Sequence, residues 1–116
     1  RNIEVTIDEQ GVFKVTMNES LAVALLTNLL KNAFVHNIDG GHIRITVTKN
    51  GITFRNSGVE HPLNKEHIFE RFYQGSKKEG STGLGLAIAD SICRLQHLNI
   101  KYYFEQNEHC FEISQS

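Results

Sequence analysis

No apolar run in this sequence approaches the ~20 residues that a membrane-spanning helix needs, and no signal peptide opens it. Neither sign of charge dominates. Twelve Lys and Arg against 13 Asp and Glu leave a formal net charge of -1, not basic enough to suggest a nucleic-acid surface. Cysteine is scarce: Cys93 and Cys110 stand far apart with no metal-type neighbour spacing, and read as reduced packing residues of a cytosolic domain rather than a disulfide. The single proline is Pro62, and no linker or internal repeat divides the chain. The rest is ordinary for a globular fold: 116 residues, 40% hydrophobic and 22% charged, enough for one core. Arg1 stands first instead of Met, so the expectation is one domain, residues 1–116, from a longer protein.

The stretch LLTNLLKNAFVHN (residues 25–37) organises the chain. Good helix formers dominate residues 19–34, and Asn18, Glu19 and Ser20 carry helix-start signals. At 3.6 residues per turn Ala22, Leu26, Leu29 and Ala33 form one apolar stripe, widened by Leu21, Val23, Leu25 and Leu30. Asn28 and Asn32 lie four apart on one face, and Asn32 projects between Leu21 and Leu25. An amide buried there without a partner costs roughly 1–3 kcal/mol. Either the pair is held ready for a ligand, or it hydrogen-bonds nearby backbone and only fixes packing.

Residues 3–7 and 12–17 both alternate apolar and polar around Asp8-Glu9-Gln10-Gly11, which predicts an antiparallel hairpin. After the helix, Asp39-Gly40-Gly41 forces a turn. Residues 42–48 and 52–56 predict a second hairpin about Asn50-Gly51, stopped by Asn56-Ser57-Gly58. Residues 65–73 predict a short helix with Ile68, Phe69 and Phe72 on one side. Residues 74–82 are polar and small, without a core-forming side chain, and predict a mobile loop over a site. Residues 83–97 predict a second long helix with Leu84, Ala87 or Ile88, Ile92 and Leu95 inward, and residues 99–105 and 109–114 a closing hairpin. The fold class is α+β with a mixed, mostly antiparallel sheet, not a doubly wound parallel fold.

Gly80-Ser81-Thr82-Gly83-Leu84-Gly85-Leu86 opens a helix. Glycines there let backbone approach a ligand, and N–H groups at a helix start favour anions; a plain helix-entry turn is the alternative. Two other phosphate motifs are excluded. Gly75 to Gly80 has P-loop spacing, but Ser81 stands where lysine is required and no strand precedes it. Gly83-x-Gly85 lacks the third glycine of a dinucleotide fingerprint. Asn56-Ser57-Gly58 at a strand end could meet an exocyclic amino group or could be turn chemistry alone.

Taken in order, Asn28-Leu29-Leu30-Lys31-Asn32-Ala33, Asn56-Ser57-Gly58, Ile68-Phe69-Glu70-Arg71-Phe72-Tyr73 and Gly83-Leu84-Gly85-Leu86 strongly resemble the catalytic ATP-binding domain of bacterial sensor histidine kinases. That domain belongs to the superfamily of DNA gyrase B, the heat-shock chaperone ATPases and MutL. The resemblance covers nearly the whole chain. It implies a two-layer α/β sandwich of Bergerat type, with helices on one face of the sheet and ATP between the helices and a lid at about residues 74–82. It implies that Asn32 ligates Mg²⁺, that Asn28 lines the phosphate side with Lys31 and His36 in the same binding set, and that Asn56 stands for the usual aspartate at the adenine amino group, with Gly58 beside the ring. Phe69, Phe72 and Tyr73 would support the lid; Thr82, Gly83, Leu84, Gly85 and Leu86 would place the helix start against the phosphates.

The departures are Asn56 for aspartate, Glu60 for a second glycine, Val35 for a lysine and Gln74 for an arginine. Lys77, Lys78 or Arg71 could replace the lost cations. Relatives that hydrolyse ATP carry a glutamate where this chain has Asn28, and an amide is no general base. The expected reaction is therefore γ-phosphate transfer to a histidine in a separate dimerisation domain, and from there to a response regulator. None of the six histidines here has the acceptor's sequence context. The resemblance implies a homodimeric parent in the inner membrane with this domain in the cytoplasm. The alternatives are a degenerate, non-enzymatic ATP-binding module and an anti-sigma-factor-type serine kinase.

Overall fold

A computed structural model describes residues 2–73 and 83–116. The expected lid, residues 74–82 with Gln74, Lys77, Lys78 and Thr82, lies outside the described residues. Among the described residues seven elements follow one another: β1 (Glu4–Glu9), α1 (Glu19–Val35), β2 (His42–Thr48), β3 (Gly51–Asn56), α2 (Gly85–Leu95), β4 (Leu98–Glu105) and β5 (Glu108–Gln115). The strands form one sheet in the order β1-β2-β3-β5-β4. β1 pairs parallel with β2, and the other three pairings are antiparallel. The mixed, mostly antiparallel α+β architecture is the one the sequence predicts.

Three local expectations are corrected. Residues 12–17 form no strand, so the first hairpin does not exist. β1 instead joins β2 in parallel, with Val5 opposite Ile43 and Ile7 opposite Ile45, and α1 is the crossover. Phe13 and Met17 turn onto the core, while Val12 and Val15 are exposed. Period-2 alternation marks a segment with one buried side; it does not say whether a strand or a helix does the burying. Residues 65–73 form successive turns rather than a helix. His67 N donates to Asn64 O, Glu70 N to His67 O and Tyr73 N to Glu70 O, each closing over three residues. Finally, both helices bury a face rotated from the predicted one. In α1 the buried line is Leu25, Leu29 and Ala33, with Val23 and Leu26 exposed. In α2 it is Ala87, Ala89, Ile92 and Cys93, with Ile88 and Leu95 exposed. The alanines of α2 let it approach α1 closely, and that mutual contact sets the rotation.

Between the layers, Leu25, Leu29, Ala89, Ile92 and Cys93 meet Phe54, Tyr102, Phe111 and Ile113 of the sheet, with Ile68 from the turn segment. Cys93 and Cys110 are buried free thiols, each pushed up to about 11 by burial first of all, so neither is a ready nucleophile. The opposite sheet face is polar. There His42 Nε2 and Arg44 of β2 reach over β3 to Glu108 of β5, at 2.6 and 2.8 Å. Burial of Glu108 works against its charge, yet the hydrogen bonds from Arg44 and His42 outweigh it and hold the carboxyl below its ordinary 4.5.

A carboxylate whose pKa is lowered by folding stabilises the protein above its unfolded pKa, and that contribution is lost as pH falls through the folded value. The melting temperature should therefore fall as pH drops below about 4.5, and fall less steeply in Glu108→Gln than in the wild type. Calorimetric scans of both proteins between pH 6 and 3 measure this. Parallel curves would show that Glu108 carries none of the acid sensitivity.

Candidate functional site

The site grows from the C-terminal half of α1. Asn18 caps the helix start, its side chain accepting from Ser20 N at 2.7 Å. The regular helix then carries Asn28 and Asn32 beside the buried Leu25–Leu29–Ala33 line. Asn28 Nδ2 donates to Ala24 O at 2.8 Å, so half of this amide serves the helix backbone. Its Oδ1 faces α2: a Cβ on Gly85 would stand 3.2 Å from it. Asn32 is half-buried, and its amide has no hydrogen bond among the described residues. Lys31 is exposed.

At the end of α1 a buried amide joins three parts of the chain. Asn37, fully buried, donates through Nδ2 to Ala33 O and His42 O, both at 3.0 Å. Its Oδ1 accepts from Ile38 N at 2.9 Å and from the Ser57 hydroxyl at 2.6 Å. Ser57 Oγ in turn accepts from His42 N at 2.9 Å. Gly41 lies against this knot so closely that any Cβ would collide with Asn37 Oδ1 and Ser57 Oγ. The helix end, the start of β2 and the Asn56-Ser57-Gly58 corner are thus fixed to one another.

Asn56 closes β3 at 2% exposure. Its Nδ2 donates to Ser57 O at 2.7 Å. Its Oδ1 is the one buried side-chain oxygen or nitrogen among the described residues without a hydrogen-bond partner. The bond to Ser57 O fixes which way the amide faces, so the unpartnered atom is an acceptor. Gly58 follows, buried, where a Cβ would stand 2.9 Å from His36 O and 3.1 Å from the His109 ring. The His36 carbonyl therefore occupies the space that a side chain at position 58 would need.

The segment after Gly58 is held from the far strands. Leu63 N donates to Tyr102 Oη at 3.0 Å. Tyr102 Oη lies 2.7 Å from His109 Nδ1, and His109 Nε2 lies 2.8 Å from Val59 O. A carbonyl only accepts, so His109 carries its proton on Nε2, and Nδ1 receives the tyrosine O–H. His109 is held below its ordinary 6.5, first by burial and then by His61. Burial raises Tyr102 and keeps it a phenol. Sequence reading missed Asn37, Tyr102 and His109. Alternation along β4 and β5 signalled only that Tyr102 and His109 share an inward face.

The aromatic residues divide. Phe69 meets Phe111 edge-on at 6.3 Å, and Tyr73 packs on the core with His67 nearby at 6.2 Å. Phe72 is two-thirds exposed, with the Arg71 guanidinium 5.4 Å over its ring. It adopts a left-handed φ of 65°, and its N–H donates to Gly83 O at 2.6 Å. Gly83 has φ 74°, and a Cβ there would stand 2.7 Å from Phe72 Cα, so only glycine suits this contact. Past it, α2 begins with Leu84 as N-cap and no side-chain cap; Leu86 packs on the core. The geometry brings together Asn28 with Gly85, His36 with Gly58, and Phe72 with Gly83, while Lys31 and the Phe72 ring stand in solvent.

Residues 17–114 match a protein family described as histidine kinase-, DNA gyrase B- and HSP90-like ATPases. Sensor histidine kinase RppB of Synechocystis sp. is 44% identical over 84 residues, 65% of this chain and 18% of that protein. Heme sensor protein HssS of Staphylococcus aureus is 40% identical over 90 residues, 73% of this chain and 20% of that protein. The chain thus spans about a fifth of the length of these curated relatives. Among solved structures, the nucleotide-free catalytic domain of histidine kinase ThkA superposes with a TM-score of 0.83 at 26% identity, covering 97% of this chain and 77% of that one.

Replacing Asn37 by alanine should cost about 2–3 kcal/mol, because the buried Ser57 hydroxyl and His42 carbonyl each lose a partner. Urea denaturation of Asn37→Ala measures the loss. A change below about 0.5 kcal/mol would mean that the knot does not hold the corner.

Proposed function

The chain belongs to the histidine kinase-, DNA gyrase B- and HSP90-like ATPase family, and we propose that it binds ATP with Mg²⁺ as the catalytic domain of a two-component sensor kinase. In this reading the γ-phosphate passes to a histidine of a separate dimerisation domain of the same protein, and from there to a response regulator. The parent protein is a homodimer in the inner membrane with this domain in the cytoplasm. Among the described residues no helix is long and apolar enough to cross a membrane.

The observation that carries the reading is the orphaned Asn56 Oδ1. A buried acceptor left without a partner costs roughly 1–3 kcal/mol, and an adenine amino group supplies the N–H it lacks. The amide faces the right way because Ser57 O holds its other end. Guanine would present a carbonyl there, acceptor against acceptor. Gly58, packed between His36 O and the His109 ring, gives the base a wall without a side chain.

For the phosphates the chain offers the start of α2, where backbone N–H groups and the helix dipole favour anions. Gly85 leaves room beside Asn28, and Gly83 lets the chain turn into the helix. Asn32 offers an amide oxygen for Mg²⁺. One protein ligand suffices, since Mg²⁺ keeps several waters and takes the rest of its shell from phosphate. When bound, the ion would neutralise charge on the phosphate oxygens. Lys31, His36, Leu84 and Leu86 complete the binding set, with Thr82 and the aromatics Phe69, Phe72 and Tyr73 at the lid. Asn28 cannot take a proton from water, and its Nδ2 is committed to Ala24 O. Transfer to a protein nucleophile, by positioning and electrostatics, fits these groups better than hydrolysis.

Calorimetric titration with ATP should give saturable binding that Mg²⁺ tightens, with GTP weaker by at least about tenfold. Asn32→Ala should lose the Mg²⁺ effect and keep its thermal melt. Asn56→Leu should weaken ATP about tenfold or more. No binding at millimolar ATP would overturn the reading and favour a degenerate module, in which Val35, Gln74 and Asn56 have disabled the site.

A further inference from the structure

The base-pocket corner is anchored at one end only by the Asn37 knot. Past Gly58 the chain leaves β3 as loop for several residues, and Val59, Leu63 and the turns beyond belong to neither layer. The hydrogen bonds that fix this stretch come from Tyr102 on β4 and His109 on β5. The chain of donors has one direction: Leu63 N–H to Tyr102 Oη, Tyr102 O–H to His109 Nδ1, His109 Nε2–H to Val59 O. Every group gives or receives as it must, provided the imidazole is neutral. The two rings stack at 5.9 Å with planes 22° apart, and Phe104 closes the other side at 4.8 Å. His109 also touches the pocket directly. Its ring stands 3.1 Å from where a Gly58 Cβ would be, and it is the cross-strand partner of Asn56.

We propose that Tyr102 and His109 are positioning residues for nucleotide binding: they hold Gly58 and residues 59–63 as the wall of the base pocket, and only while the imidazole is neutral. This rests on the ATP reading above. A second proton on His109 would set N–H against the Tyr102 O–H. The tyrosine must then turn its proton away and accept from Nδ1 instead, so the direction of the relay reverses and the Tyr102 O–H loses the acceptor it had. The titratable groups facing His109 are Tyr102 from β4 and His61 from the loop. From β3 it faces the neutral Asn56, and the end of α1 touches Gly58 by the His36 carbonyl. Glu108 and Cys110, its neighbours on β5, point to the other face of the sheet. Among the described residues no carboxylate faces the ring; the hydrogen bond to Val59 O favours the charged form, but burial, with His61, outweighs it and holds His109 below its ordinary value. Nucleotide affinity should therefore weaken as pH falls from 7.5 towards 5.5.

The test is ATP titration of the 116-residue chain and three variants, from pH 7.5 to 5.5, with a thermal melt at each pH. Tyr102→Phe keeps the ring and removes both its hydrogen bonds; it should weaken ATP about three- to tenfold at pH 7.5. His109→Ala should lose at least as much. His109→Gln can accept from Tyr102 and donate to Val59 but cannot take a proton. It should recover part of the His109→Ala loss, and the wild type should weaken relative to it by roughly threefold across the range. That ratio cancels the protonation of ATP itself. Lower melting temperatures with unchanged ATP affinity would reduce the pair to packing and overturn the proposal. So would parallel pH profiles of wild type and His109→Gln. If His109→Gln does not fold, the Tyr102→Phe affinity decides. A wild type that binds no ATP at any pH defeats the nucleotide reading, and the proposal falls with it, whereas wild-type binding with indifferent variants defeats the proposal alone.

Discussion

The geometry of this domain depends on one buried side-chain amide. Asn37 sits just past the end of α1, has no solvent exposure, and spends both its donors and its acceptor on other parts of the chain. Two of its partners are local and two are distant: His42 starts β2 and Ser57 follows β3. A helix packed on a sheet only through apolar contacts can slide or rotate by a fraction of a turn at little cost, because such contacts have no direction. Hydrogen bonds to a buried amide have direction, and breaking one strands a buried partner. The knot converts loose two-layer packing into a set position for the Asn56-Ser57-Gly58 corner relative to α1.

From that corner outward the site is built of neutral groups. At the candidate site Asn28, Asn32 and Asn56 carry neutral amides, and Gly58, Gly83 and Gly85 keep side chains out of the way. Few cations stand nearby among the described residues: Lys31 is in solvent and Arg71 lies over Phe72. Recognition by fixed dipoles demands accurate placement, since a neutral amide tolerates misalignment less than a point charge does. Buried hydrogen bonds do converge on the corner. Asn37 and Ser57 hold it from the α1 side, and Tyr102 and His109 hold it from β4 and β5.

Much of the fold was legible in the residues. The cap at Asn18, the span of α1, the hairpin of β2 and β3 and the closing pair of strands all follow from local rules, because turn residues and helix caps act within a few positions of themselves; the hairpin turn itself is one residue earlier than Asn50-Gly51 suggests, at Lys49-Asn50, with Gly51 paired to Thr48. The misread elements are those where a distant partner decides. Residues 12–17 alternate like a strand, yet β2 takes its parallel partner from β1, and Phe13 and Met17 face the core from outside the sheet. Residues 65–73 have helical composition, but Phe72 is drawn into a left-handed turn by its bond to Gly83. The inward faces of both helices turn away from the predicted stripes because α1 and α2 pack on each other as well as on the sheet.

The sequence by itself determined the family, the α+β class and the identity of the asparagines and glycines at the candidate site, since these reside in short motifs whose order along the chain is specific. It also determined that Asn28 cannot act as a base, which is a property of the amide and not of its surroundings. Only the tertiary structure decided which amide atoms are already spent and which is left over. Asn28 Nδ2 is taken by Ala24, Asn56 Nδ2 by Ser57, and Asn56 Oδ1 by nothing. Only it brought Asn37, just past α1, and Tyr102 and His109, on the paired strands β4 and β5, to the corner from opposite halves of the chain. A hydrogen bond depends on the position and direction of both partners, and for residues dozens of positions apart those are set by the packing of the whole sheet against its helices.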